Sequence, residues 1–452
     1  MRIRKHQYLF IFLIILLLNS CSIAPQTDYA ALVKQDHDLV RNWEQQKTAQ
    51  QTTSLNQLIN SPELNNLIAE ALAANPTLQQ TMLSLKIIQA QYRQAKGDRL
   101  PEASYDVSGE KDEGDDQSYS GSLTISWELD VWQKLTDSKN AAAMDEAEQQ
   151  EIFLAARDSL AAQVMKGWLG LISDQHTIDI EQNRLEILEQ NEGYILQRYR
   201  NGIGTLEDLD SSRASTAVSR ASLEEYRENL DQRQRTIKTL LGRTGTDKVI
   251  ATETYPKVIT PLADLPEQTL QRRPDLKAAY FAIEAADYRT SVAYKDLLPS
   301  FSLEAALNDI SDSPQSMLLS DPLWALLGQF TAPLFQGGKL KSAAEIAGLE
   351  TAQSYQAYRE TLLDAISEVE NALSLEQSIT RRQKHIQSAL TSARNSLTRY
   401  QENYRSGLVD ILDLITVQEK TFDIAAQLDN LIYDRLVNRI ELGLALGLGV
   451  TQ

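Results

Sequence analysis

The chain states one pattern twice. Asn75-Pro76-Thr77-Leu78 opens a stretch of helical periodicity that closes at Asp98-Arg99-Leu100-Pro101, and Arg273-Pro274-Asp275-Leu276 opens another that closes at Asp296-Leu297-Leu298-Pro299. Pro274 stands 198 residues after Pro76, and Pro299 stands 198 after Pro101. A second echo follows. Tyr199-Arg200-Asn201-Gly202 returns as Tyr404-Arg405-Ser406-Gly407, and Leu241-Gly242 returns as Leu446-Gly447, both 205 residues on. Each half reads helix, Pro, short alternating segments, long helix, Gly turn, helix, Leu-Gly. A duplication this long means one architectural unit used twice.

The periodicities assign the elements. In the first repeat, 62–245, helices are expected at 62–98, 139–201 and 206–242, with a β-hairpin at 102–128. Pro76 predicts a kink or restart within the first helix. Tyr105 and Val107, then Leu123, Ile125 and Trp127, alternate with polar residues around a charged stretch from Glu110 to Asp116, which is a hairpin pattern. A linker spans 246–270. The second repeat, 271–449, predicts helices 272–298, 341–405 and 411–447 and a hairpin at 300–332. Steps of three and four through Phe153, Ala156, Leu160, Val164, Trp168 and Leu171 mark a core-facing stripe. Helices of about 60 residues reach roughly 90 Å and belong to coiled coils or spanning bundles.

Charge and composition exclude several function classes. The formal net charge is −18, and no basic face exists for a nucleic acid. There is a single cysteine, Cys21, so neither an intrachain disulfide nor a cysteine metal cluster is available. His6, His37, His176 and His385 form no ligand pair at helical spacing. No nucleophile elbow, P-loop, HExxH or Gly-rich dinucleotide motif occurs. The expectation is a protein without enzymatic activity, cofactor or metal.

The N-terminus reads as a targeting segment. Arg2, Arg4 and Lys5 precede an apolar run from Tyr8 to Leu18, then Asn19-Ser20-Cys21. That run is short for a membrane span and fits a secretory signal at 1–20. Leu18-Asn19-Ser20-Cys21 resembles the lipobox of bacterial lipoproteins, which implies lipid attachment at Cys21. Ser22 then permits sorting to the outer membrane. Residues 21–61 read as a polar leader. After Leu18 no run approaches the length of a transmembrane helix.

Two Gly turns join the long helices to their partners: Gly202-Ile203-Gly204-Thr205-Leu206-Glu207-Asp208, and Gly407-Leu408-Val409-Asp410-Ile411-Leu412-Asp413. Gly ends a helix in the left-handed conformation. Thr205 with Asp208, and Asp410 with Asp413, then take the spacing of a capping box on the next helix. Each half is expected to end in a helical hairpin with a tight tip.

In this order and spacing the motifs resemble the TolC-type outer-membrane efflux proteins, in the lipidated branch that serves RND tripartite pumps. Trp127-Glu128-Leu129-Asp130-Val131-Trp132 resembles that branch's strand-exit motif, with Gln133-Lys134 where the family continues Gly-Arg. Pro333-Leu334-Phe335-Gln336-Gly337-Gly338-Lys339 and Arg273-Pro274-Asp275-Leu276 fit the family strings. The resemblance runs from Leu64 to Gly449. It implies a mainly α fold with a β-barrel contribution, the duplicated helix–hairpin–long-helix unit forming a trimeric α/β barrel. That homotrimer would stand in the outer-membrane lipid above a periplasmic helical tunnel. It implies docking of a periplasmic adaptor and an inner-membrane pump at the tips, through Gly202, Gly204, Thr205, Asp208, Gly407 and Leu408. Asp410 and Asp413 match the aspartates that ring the entrance of such channels, and Tyr404 matches its tyrosine. The arginine that locks that gate has no counterpart, because three residues fewer separate Gly407 from Asp410. The implied role is passive conduction in efflux. Two alternatives stay open: a channel for type I protein secretion, and a lipid-anchored periplasmic scaffold without a pore.

Overall fold

The computed structural model describes residues 27–38, 54–111, 117–261, 271–311, 313 and 321–451. The signal at 1–20 and Cys21 lie outside the described residues. The fold is mainly α with one sheet. The elements in order are α1 (Tyr29–Asp38), a short 3-10 turn (Leu55–Gln57), α2 (Pro62–Ala74), α3 (Pro76–Gly97), β1 (Glu102–Glu110), β2 (Ser118–Glu128), α4 (Lys134–Arg200), α5 (Leu206–Leu240), α6 (Pro274–Lys295), β3 (Ser300–Ser311), β4 (Leu323–Thr331), α7 (Lys339–Arg405) and α8 (Ile411–Ala445). Helices α4 and α7 have 67 residues each, about 100 Å at the α-helical rise. Among the described residues no helix is long and apolar enough to cross a membrane.

Two compact units divide the chain. The first draws on Ile88–Ala147 and Tyr280–Ala357 together with α1. It holds an antiparallel sheet in the order β1-β2-β3-β4. The two hairpins expected from the sequence are parts of this one sheet, because β2 of the first repeat pairs with β3 of the second from Tyr119↔Ser311 to Glu128↔Ser302. Trp132 donates its indole N–H to the Pro299 carbonyl at 2.6 Å, tying the end of β2 to the start of β3. Asp130 then caps α4, accepting from the Leu135 and Thr136 N–H groups at 2.9 Å each. This moves the helix start to Lys134, ahead of the expected 139. Gln133 sits at φ 61°, in the left-handed region where the family string has Gly. Gly338, at the equivalent place before α7, has φ 86°.

The second unit draws on Val40–Ile87, Glu148–Ala279 and Tyr358–Gln452. Its core is where the apolar stripe of α4 predicts it. Val164, Met165, Trp168, Leu169 and Ile172 pack with Leu64, Ile68, Ile237, Val369 and Ile440. The kink or restart expected at Pro76 within 62–98 is a restart, which divides the stretch into two helices. Asn75 ends α2 and starts α3, its Oδ1 accepting from the Leu78 N–H at 2.9 Å while Pro76 takes the first position, where no N–H is needed. The helices expected at 272–298 and 411–447 end at Lys295 and Ala445. In the latter case Gly447 at φ 72° turns the chain, as Gly242 does at φ 68° after α5.

Candidate functional site: the two hairpin tips

The tips share one backbone design. Helix α4 closes with Gly202 N–H donating to the Tyr199 carbonyl at 3.0 Å and Ile203 N–H to the Arg198 carbonyl at 3.0 Å. Helix α7 closes with Gly407 N–H donating to Tyr404 at 3.0 Å and Leu408 N–H to Asn403 at 2.9 Å. This is the Schellman closure, and Gly202 (φ 72°) and Gly407 (φ 71°) take its left-handed position. Both glycines face open space, since a Cβ at either would meet nothing within 4 Å. Gly204 is different: a Cβ there would lie 3.0 Å from the Tyr199 nitrogen and press on the backbone at the end of α4.

The helices that follow the turns begin differently. Thr205 accepts from the Asp208 N–H at 3.0 Å, and the Asp208 carboxylate accepts from the Thr205 N–H at 3.3 Å. That is a complete capping box on α5. Asp410 caps α8 through the neighbouring Ile411 N–H at 2.5 Å, with no capping box formed by Asp413. The reciprocal pair expected at both tips therefore forms only at the first. A neutral hydroxyl at Thr205 lets a carboxylate approach its N–H, whereas the Asp410 carboxylate repels a second one. Asp413 stays in the first turn of α8, where an acid is favoured by the helix dipole. Asp410 and Asp413 are both exposed.

Beneath the tips lies an apolar cluster that sequence reasoning missed. Leu188 and Ile195 of α4 and Leu209 of α5 pack with Ile411, Leu414 and Ile415 of α8. Tyr404, half-buried, packs against this cluster beside Tyr400. The hairpins are thereby joined across the repeats. Two polar contacts extend the joint: Asn191 donates to Gln418 at 2.8 Å, buried, and Arg184 pairs with Asp423 at 2.6 Å. The signal was present, since Leu188 and Ile195 are seven apart and Ile411, Leu414 and Ile415 are three and four apart. At the outer end Ile203, Leu206 and Leu408 are exposed at 66%, 53% and 73%. These three apolar side chains stand in solvent beside the two tight turns.

Among the described residues, no group of three or more His, Cys, Asp or Glu side chains could hold a metal ion. The tips offer carboxylates, apolar side chains and turn backbone, which suits binding and electrostatic filtering.

Comparison with known proteins identifies the family. Residues 67–243 and 265–448 match the family described as "Outer membrane efflux protein". The chain is 26% identical to the cation efflux system protein CusC of Escherichia coli O6:H1, over 98% of each chain. It is also 26% identical to a Salmonella typhimurium protein named "Probable outer membrane lipoprotein SilC", over 98% of this chain and 99% of that one. A crystal structure of CusC superposes with a TM-score of 0.81 at 25% identity, covering 90% of this chain and 97% of the other. The chain belongs to the outer membrane efflux protein family and is an outer-membrane component of an efflux system.

Proposed function

We propose that this chain is the outer-membrane channel of a tripartite pump and conducts substrate passively. The observation that carries the reading is the continuous four-stranded sheet with β1 at one edge and β4 at the other. Unpaired edges are not tolerated in lipid. Three copies joined β1 to β4 give three sheets of four, a closed barrel of twelve antiparallel strands. Residues 62–245 and 271–449 are then the two repeats of each wall, and Cys21 carries the lipid anchor.

The tips are the docking and gating end. A periplasmic adaptor, with an inner-membrane transporter of the RND class behind it, meets Gly202, Gly204, Thr205, Asp208, Gly407 and Leu408. Asp410 and Asp413 from three copies place six carboxylates around the entrance, which favours cations. Tyr404 and the apolar cluster below hold the hairpins together. Opening slides them apart, and adaptor contact shifts the population toward that state.

The test is planar-bilayer conductance of the lipidated protein beside an Asp410→Ala/Asp413→Ala variant. The expected result is a small cation-selective conductance that grows and loses selectivity in the variant. A pore unchanged by the substitutions leaves the aspartates as helix-end residues. Absence of conductance in inserted trimers overturns the channel reading.

A further inference from the structure

The connection between the two repeats is strapped to the helices by side chains. Gln234 of α5 holds Val249 from both sides, donating to its carbonyl and accepting from its N–H, each at 2.9 Å. Further on, Arg439 of α8 donates to the Val258 carbonyl at 2.5 Å, and the Ile259 N–H donates to the Leu58 carbonyl at 3.0 Å. Between these anchors the strap meets His176 of α4. The ring Nδ1 lies 2.7 Å from Asp429 Oδ1 of α8, and Nε2 lies 2.8 Å from the Glu253 carbonyl oxygen. Tyr255 closes the group, donating its hydroxyl to Asp429 Oδ2 at 2.9 Å and standing edge-on to the imidazole at 4.8 Å.

The chemistry of the partners sets the protonation of the ring. A carbonyl oxygen only accepts. The Asp429 carboxylate already accepts from Tyr255, whose hydroxyl burial keeps protonated far above its ordinary range. Both imidazole nitrogens therefore face acceptors, and both must donate, which only the imidazolium does. We propose that His176 is a pH-operated staple that pins the inter-repeat strap at Glu253 across α4 and α8 when charged and releases that segment when neutral. A neutral ring keeps its N–H on the carboxylate, the stronger acceptor. It then turns a bare nitrogen lone pair toward the Glu253 oxygen, and the two repel.

The surroundings favour the charged form. Asp179 follows on α4, and Asp429 faces the ring from α8. Asp174 of α4 is neutralised by Arg233 of α5 at 2.5 Å, and that guanidinium lies 6.0 Å from the Tyr433 ring of α8. Partial burial alone lowers the histidine's affinity for a proton, but the Glu253 carbonyl and Asp429 outweigh it and raise the ring above its ordinary 6.5. A folded-state value raised in this way gives stability that is complete below the unfolded value. It is lost as pH rises through the folded one. The strap is held in acid and loosened in alkali, while Val249 and Val258 stay anchored.

Two measurements on the full-length protein in lipid test this. Exchange of the imidazole C2–H, followed by mass spectrometry, reports the titration of His176 itself. Proteolytic cleavage within residues 250–256, normalised to an unfolded peptide of the same sequence, is compared between about pH 5.5 and about pH 8.5, on either side of the histidine range. His176 is expected to titrate above 6.5. Protection of the strap is expected to fall roughly tenfold for each unit by which the ring is raised. His176→Gln is expected to show protection independent of pH, and Asp429→Asn to move the ring titration down. Titration of His176 at or below its ordinary value overturns the proposal, even if the variants fail to fold. So does a loss of protection that is equal in wild type and His176→Gln.

Discussion

Asn75 and Arg273 occupy equivalent places in the two repeats, and each reaches across to a last-turn carbonyl of the helix that ends its own repeat. Asn75 Nδ2 donates to Leu240 O at 2.9 Å, and Arg273 Nη1 donates to Ala445 O at 3.0 Å. The junction is one device made with two side chains. Arg273 goes further, pairing with Asp275 at 2.6 Å and Glu368 at 2.7 Å. Its guanidinium is buried, while the carboxylates are 39% and 56% exposed. Arg273→Ala is expected to cost about 1–3 kcal/mol, chiefly from the abandoned Ala445 carbonyl, because both acids can rehydrate. Arg273→Asn should recover part of the loss. Urea unfolding midpoints of the three proteins decide it.

Gln133 is strained where Gly338 is not. Its side chain is exposed, so little packing is lost on removing it. Gln133→Gly is expected to raise stability by about 1 kcal/mol, the cost of a left-handed non-glycine residue. An unchanged or lower melting temperature would refute this.

The left-handed glycines separate folding from docking. Gly407 has free space around it, whereas Gly447 would bring a Cβ to 3.1 Å from Arg272 Cβ and the Arg273 nitrogen. Gly407→Val should cost only backbone strain, about 1–2 kcal/mol, leaving trimers intact while abolishing efflux. Gly447→Val adds the clash and should reduce the amount of folded protein. Retained resistance to exported toxicants in Gly407→Val counts against docking at the tips.

Asp158 provides a pH test of the second unit. Burial pushes its carboxyl above the ordinary carboxylate range, against the pull of the Val450 N–H and Arg157. A carboxyl raised on folding binds its proton more tightly in the native state, so its ionisation lowers stability once pH passes the unfolded value. Asp158→Asn should therefore gain on wild type near neutrality, and the gap should narrow as pH falls toward the unfolded carboxyl range. Denaturant titrations at several pH values read this directly; a gap that widens in acid contradicts it.

Much of the architecture was legible because it is local. Helical stripes, alternating strands and Gly turns are written within a few residues of one another. What escaped depends on distant partners. Nothing near Asn75 announces the Leu240 carbonyl, which is why the sequence leaves both a kink and a restart open at Pro76. The pairing of β2 with β3 joins Tyr119 to Ser311, and neither strand alone specifies the other. The repeat also hides its own departures. Glu376, buried and bound by Arg435 and Arg439 at 2.9 Å, has Leu171 at the matching place 205 residues earlier. At the tips, the turns were readable from Gly202 and Gly407. The unequal caps were not, because they follow from repulsion between two carboxylates.

The β2–β3 ladder has a consequence in time. The first hairpin is synthesised and exported well before its partner strand, with the whole of α4, α5 and α6 still to come. Until β3 arrives, β2 has a bare edge, and contacts this distant in sequence form slowly. Such an edge invites wrong pairing with other chains. Neither half can mature alone, so a chain truncated after the first repeat should be a client for periplasmic chaperones and proteases.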